Sequence, residues 1–122
     1  MITLKENRMK LQALLIQEDV TLRSIISHLL LRKGYECHAA ASLGNLDITD
    51  NQKYQVVISD VLFHGIRPEE YVLKLQQRLT YEKLFIITML GQAKVKRGIY
   101  KLIDVDGYYD YPIDLSELEQ KI

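Results

Sequence analysis

Three apolar runs in this sequence each end in a side chain that can take part in phosphoryl chemistry. The β-branched run Val56 to Ile58 lies just ahead of Asp60, and an earlier apolar run is followed by Glu18 and Asp19. A third run ends in the hydroxyl of Thr88. Runs of this kind favour strands covered on both faces, and parallel strands place their carboxyl ends at one edge of a sheet, where α/β proteins keep reactive groups. Acidic side chains at the ends of two strands and a hydroxyl group at the end of a third indicate a site where an aspartate takes up a phosphoryl group with the help of a metal ion.

The composition restricts the classes of protein to consider. The 122 residues suit one domain, and the 16 basic and 16 acidic side chains leave no net charge to attract nucleic acid or an anionic membrane. Cys37 is the single cysteine, which excludes an internal disulfide and fits a reducing, cytoplasmic compartment. Because no segment approaches the roughly 18 apolar residues of a membrane span, we expect no membrane association. We expect residues 1–9 to be a flexible lead-in and residues 10–122 to form the domain.

Strand and helix patterns alternate along the chain, which predicts a parallel α/β sheet. Five strands are predicted, at Gln12–Ile16, Glu36–Ala40, Gln55–Ser59, Lys83–Ile87 and Gly107–Tyr109. Five helices are also predicted. The first covers Leu22–Leu30 and is closed by Gly34, and the second is short or irregular and lies within residues 42–53. The third begins at Pro68, the fourth covers Val95–Leu102, and the fifth begins with the capping pattern Asp114 to Glu117.

Four landmarks occur in an order typical of one family. They are Gln17-Glu18-Asp19 with Arg23, Ser59-Asp60-Val61, Thr88, and the run Gly107 to Pro112. On these residues, 10–122 resembles the receiver domain of bacterial two-component response regulators. The resemblance implies a flavodoxin-like, doubly wound sheet of five parallel strands in the order 2-1-3-4-5, with helices on both faces.

The resemblance also implies a role for each matching position. Asp60 would accept a phosphoryl group from a histidine kinase or phosphotransfer protein. Thr88 would contact the phosphoryl oxygens, and Tyr108 would change rotamer in response. Magnesium would be held by Glu18, Asp60, the carbonyl of Leu62 and, at the companion acidic position, Gln17.

Three positions depart from the pattern of that family. Tyr111 stands where a lysine is expected before the proline, Gln17 replaces one carboxylate of an acidic pair, and Met89 replaces a small residue and could crowd the phosphoryl pocket. Two functions therefore stay open. One is a phosphoacceptor that switches a partner-binding face, and the other is a phosphorylation-independent pseudo-receiver that acts as a protein-interaction module.

An enzyme of another class is not predicted. The sequence has no glycine-rich nucleotide loop, and Leu62 stands where aspartate-based phosphatases need a second acid. The expected partners are the phosphodonor protein and a downstream protein that binds the face of the fourth helix, fifth strand and fifth helix. We expect this chain to bind no nucleic acid.

Overall fold

The computed structural model describes residues 11–45, 52–89 and 93–122. The lead-in predicted at residues 1–9 lies outside them, as do residues 46–51 of the irregular second helix. Strands and helices alternate along the described chain, as the sequence predicts. The elements are β1 (Leu11–Ile16), α1 (Val20–Arg32), β2 (Tyr35–Ala40), a 3₁₀ turn (Leu43–Asn45), β3 (Lys53–Ser59), α2 (Pro68–Arg78), β4 (Thr80–Thr88), α3 (Ala93–Leu102), β5 (Gly107–Asp110) and α4 (Leu115–Lys121).

The five strands form one parallel sheet in the order β2-β1-β3-β4-β5, which confirms the predicted fold class. Ile16 of β1 pairs with Ser59 of β3, and Ser59 in turn pairs with Ile86 of β4. The carboxyl ends of β1, β3 and β4 therefore lie side by side. The residues that follow these strands share one edge of the sheet.

Alternate side chains of each central strand enter two separate cores. Ala13 and Leu15 of β1 pack with Ile26 of α1 and Leu118 of α4, so α1 and α4 cover one face. The neighbouring β1 side chains, Leu14 and Ile16, pack on the opposite face with buried residues of α2 and α3 such as Leu75 and Ile99. Burial on both faces explains the uninterrupted apolar runs of the central strands.

Local sequence signals set the helix ends. α1 ends where Gly34 takes a φ of +94°, a conformation that side chains with a Cβ rarely adopt. Pro68 occupies the first turn of α2, and the Asp114 carboxylate accepts the amide of Glu117 at 3.1 Å to cap α4. No helix among residues 11–45, 52–89 and 93–122 is long and apolar enough to cross a membrane.

Candidate functional site

Asp60 is the first residue after β3, and its backbone fixes it at the centre of the sheet edge. Its N–H donates to the carbonyl of Ile16 at 3.0 Å, which holds it against the end of β1. The side chain is nearly buried, with the residue 8% exposed. Oδ1 accepts the backbone N–H groups of Val61 at 2.7 Å and Leu62 at 2.9 Å. These two bonds fix the orientation of the carboxylate and leave Oδ2 facing the neighbouring strand ends.

Gln17 follows β1 and turns its side chain toward that second oxygen. The Gln17 Nε2 lies 3.3 Å from Oδ2 of Asp60, and its Oε1 accepts the backbone N–H of Asp19 at 2.9 Å. A backbone N–H can only donate, so the Asp19 contact identifies which end of the carboxamide is oxygen. Gln17 thus presents N–H to Asp60, and its oxygen is engaged by the chain. Its role as a metal ligand stays a prediction.

The two acidic residues after Gln17 occupy different environments. Asp19 caps α1, because its Oδ1 accepts the N–H of Leu22 at 2.9 Å. Glu18 is exposed and lines an open cavity of about 520 Å³ together with Phe63 and His64. Glu18 therefore keeps its carboxylate free of the cap and accessible at the sheet edge.

Thr88 and Tyr108 lie on the other side of Asp60, on β4 and β5. Thr88 is fully buried at the end of β4, where it pairs with Asp110 of β5. Tyr108 is half-buried, and its pKa is raised to about 12 by burial first and then by the carboxylates of Asp110 and Asp60. The effect of Asp60 shows that the Tyr108 phenol lies within electrostatic range of the central carboxylate.

The ring of Tyr108 also contacts α3. Its centroid lies 6.4 Å from that of the exposed Tyr100, and the Nζ of Lys96 lies 5.3 Å from the Tyr108 ring. The second contact falls within the range of a cation–π interaction. Tyr108 therefore connects the surroundings of Asp60 with the surface of α3.

Tyr111 lines an apolar groove of about 230 Å³ together with Leu22 of α1 and Ile113. It follows β5, and its pKa is raised by burial first and then by the carboxylates of Asp60 and Asp19. Of the two largest departures from the family pattern, Gln17 is the one that the structure places in direct contact with Asp60. Met89, in contrast, is 69% exposed and is not packed into the site.

Sequence reasoning missed two contacts at this edge. The first is the hydrogen bond from the Gln17 amide to Oδ2 of Asp60, because the sequence shows position 17 only as a missing carboxylate. The second is a buried chain in which Ser59 Oγ lies 2.7 Å from both the Tyr71 hydroxyl and the carbonyl of Asp60. Tyr71 is a buried residue of α2. A tyrosine in place of phenylalanine at such a position is a signal for a hydrogen-bonded hydroxyl.

Comparison with solved structures identifies the architecture. The chemotaxis protein CheY4 of Vibrio cholerae superposes with a TM-score of 0.64 at 18% identity, over 92% of this chain and 98% of that one. A response regulator from Thermotoga maritima gives a TM-score of 0.74 at 15% identity, over 92% and 93% of the two chains. This is the receiver fold.

A third structure with the receiver fold carries a modified site. It is a response regulator protein from Burkholderia pseudomallei with a phosphorylated aspartic acid, a calcium ion and citrate, matched with a TM-score of 0.75 at 14% identity over 91% of this chain and 65% of that one. No protein-family model matches the sequence, and no curated protein is detectably similar to it. The likeness is therefore one of fold, and the function has to be argued from the site.

Proposed function

We propose that this chain is a receiver module of two-component signal transduction, in which Asp60 accepts a phosphoryl group from a histidine kinase or phosphotransfer protein. One observation carries the proposal. The nearly buried carboxylate of Asp60 ends the central strand, with Oδ1 held by two backbone amides and Oδ2 turned toward the hydrogen-bonding groups of the neighbouring strand ends. A carboxylate fixed in this way presents one defined oxygen as the nucleophile.

The groups around Oδ2 suit an acyl phosphate. The phosphoryl group adds negative charge and three acceptor oxygens, so it needs donors at the same edge. Thr88, Tyr108 and the Gln17 amide are the neighbouring polar side chains, and the raised pKa of Tyr108 keeps its phenol protonated at neutral pH. We assign Thr88 to the phosphoryl oxygens and Tyr108 to the conformational response.

The donor types at the edge also fit magnesium, with one carboxylate fewer than the family pattern expects. Mg²⁺ prefers carboxylate, carbonyl and water oxygens, which Glu18, Asp60 and the carbonyl of Leu62 would supply. Among the residues that the structure describes, no three Asp, Glu, His or Cys side chains cluster as a metal site. When bound, the ion would offset charge on the phosphoryl oxygens. The second carboxylate is missing because Gln17 stands in its place, so we expect weak binding.

The output surface would be the face formed by α3, β5 and α4. Tyr108 lies on β5 between Asp60 and Tyr100 of α3, so a change in its rotamer alters the exposed surface of α3. Phosphorylation would then shift the population between two forms of this face and change its affinity for a downstream protein.

A second candidate function is the phosphorylation-independent pseudo-receiver. The observation that favours it is the contact between Gln17 and Asp60, because the amide satisfies Oδ2 without a ligand. Tyr111 supports the same alternative, since a phenol supplies no positive charge to a phosphoryl group. In that case the same face would bind its partner by contact alone.

Acetyl phosphate separates the two functions. The protein is incubated with acetyl phosphate and Mg²⁺, and its intact mass is compared with that of Asp60→Asn treated identically. The phosphoacceptor proposal predicts an increase of one phosphoryl group in the unmodified sequence and none in the variant. An unchanged mass for both proteins would favour the pseudo-receiver.

A further inference from the structure

We propose that Tyr71 of α2 is a positioning residue for the phosphorylation of Asp60. It acts through Ser59 and Phe63 rather than on the phosphoryl group itself. The inference rests on the proposed function, because the orientation of Asp60 matters for the chemistry only if Asp60 is the phosphoacceptor. It adds a link between the first turn of α2 and the loop of residues 60–63, which carries the reacting carboxylate.

Two short hydrogen bonds connect the Tyr71 hydroxyl to the backbone of Asp60. The hydroxyl oxygens of Tyr71 and Ser59 lie 2.7 Å apart, and Ser59 Oγ lies 2.7 Å from the carbonyl oxygen of Asp60. A carbonyl can only accept, so it takes the single proton of the Ser59 hydroxyl. The Tyr71 hydroxyl must therefore donate to Ser59 Oγ. Ser59 is fully buried and Tyr71 is 4% exposed, so both bonds are sheltered from competition with solvent.

The bond from Ser59 completes the attachment of the Asp60 backbone. The Asp60 N–H donates to the carbonyl of Ile16 at 3.0 Å, and its own carbonyl accepts from Ser59. Both polar groups of the Asp60 backbone are thus held. The direction of the chain after Asp60 decides where the amides of Val61 and Leu62 point, and these amides orient Oδ1 at 2.7 and 2.9 Å. Losing the bond from Ser59 would loosen the amides that fix the carboxylate.

The ring of Tyr71 holds the same loop at its other end. Its centroid lies 4.6 Å from that of Phe63, with an angle of 37° between the two planes, which is within the range of a favourable aromatic pair. Phe63 in turn forms a β-bridge with Ile66 around Gly65, whose φ of +84° allows the tight turn. Tyr71 therefore restrains residues 60–63 at both ends.

Neither hydroxyl gains or loses a proton in the proposed step. With acetyl phosphate, Oδ2 of Asp60 forms a bond to phosphorus while the bond from phosphorus to the acetyl oxygen breaks, and acetate leaves with that electron pair. A nucleophile that is held in one orientation needs less reorganisation to reach this transition state. The effect of Tyr71 should therefore appear in the maximal rate and not in the KM for acetyl phosphate.

The test removes one hydroxyl at a time. Tyr71→Phe keeps the ring contact and should lower the maximal rate of Asp60 phosphorylation by acetyl phosphate roughly tenfold, the effect of one buried hydrogen bond, with the KM unchanged. Ser59→Ala should lower the maximal rate by a similar factor. The double variant should be no slower than the slower single variant, because both changes break the same chain of hydrogen bonds.

The matched control is Tyr54→Phe. Tyr54 is also 4% exposed and belongs to the same core as Tyr71, but it lies near the amino end of β3. This variant should leave the maximal rate unchanged. All rates are measured at a temperature where thermal unfolding shows each variant to be folded. A merely structural role for Tyr71 would lower the Tm of Tyr71→Phe and leave the rate of the folded protein unchanged.

The outcomes distinguish this inference from the proposed function. If the unmodified sequence is phosphorylated and Tyr71→Phe matches it in rate, Tyr71 is not a positioning residue and Asp60 remains the phosphoacceptor. Losses that multiply in the double variant would also overturn the inference, because Tyr71 would then act independently of Ser59. If Tyr71→Phe does not fold, Ser59→Ala decides in the same way. If the unmodified sequence takes up no phosphoryl group, the proposed function fails and the inference fails with it.

Discussion

Gln17→Glu is the most informative single substitution, because it keeps the shape of the side chain and replaces an N–H donor with a negative charge. In the structure the replaced atom lies 3.3 Å from Oδ2 of Asp60, and Gln17 is 2% exposed. The variant would therefore place two carboxylates in contact in a nearly buried position. We expect it to be much less stable than the unmodified protein at neutral pH.

The size of the effect follows from that distance. Two unit charges at 3.3 Å repel by about 5 kcal/mol at an effective dielectric constant of about 20. The pair can avoid this repulsion if one carboxyl group takes up a proton, which costs about 4 kcal/mol at pH 7 for an ordinary glutamate pKa of about 4.3. The smaller cost sets the expected loss, about 4 kcal/mol, which is a large part of the 5–15 kcal/mol typical of a domain. The Tm should fall by roughly 15 °C.

The assay is thermal unfolding without metal at several pH values. The repulsion raises the pKa of one carboxyl group in the folded variant, so the lost stability should be small below about pH 4 and should grow as pH rises. Gln76→Glu is the control, because it adds the same charge at an exposed position in a cleft with Asp104 and Asp106. It should change stability by no more than about 0.5 kcal/mol. Equal Tm values for Gln17→Glu and the unmodified protein at pH 7 would refute the contact with Asp60.

Three further predictions test other parts of the account. Gln17→Asp should bind Mg²⁺ more tightly in titration calorimetry, because a carboxylate replaces a neutral amide, and equal affinities would exclude position 17 from the metal's surroundings. The pKa of Tyr108, measured by NMR, is expected at about 12 and should fall in the variant Asp60→Asn. It should stay above 10, because burial is the larger cause of the shift. An unchanged pKa would mean that Asp60 is too far from the Tyr108 phenol to affect it. Gly107→Ala should lower the free energy of unfolding, measured by chemical denaturation, by roughly 1–3 kcal/mol, because an added Cβ would lie 2.9 Å from Cδ1 of Phe85. An unchanged free energy of unfolding would mean that this contact relaxes freely.

The sheet could be predicted from the sequence because its strands are buried on both faces. The apolar runs at Gln12–Ile16 and Gln55–Ser59 fall within β1 and β3. β4 begins three residues before the predicted Lys83, at Thr80, because that polar segment pairs with Lys53 and Tyr54 of β3. Backbone pairing extends a strand beyond its apolar run, and an apolar pattern does not report it.

The candidate site could be predicted only in part, because a sequence pattern does not show contacts between residues that are distant in the chain. Asp60, Glu18 and Thr88 could be assigned to one edge because each follows a recognisable strand. The hydrogen bond from the Gln17 amide to Oδ2 of Asp60 joins residues 43 positions apart in the chain, and neither has a local sequence signal for it. Only the folded edge of the sheet brings them together, so the sequence shows a missing carboxylate where the structure shows an amide that donates to Asp60.

The central claim is that Asp60 carries a phosphoryl group, and chemical trapping tests it most directly. After reaction with acetyl phosphate and Mg²⁺, borohydride reduces an aspartyl phosphate to homoserine, and peptide mass spectrometry locates that residue. The account predicts homoserine at position 60 and its loss when the phosphodonor is omitted. Homoserine at another aspartate, or at none, would contradict it.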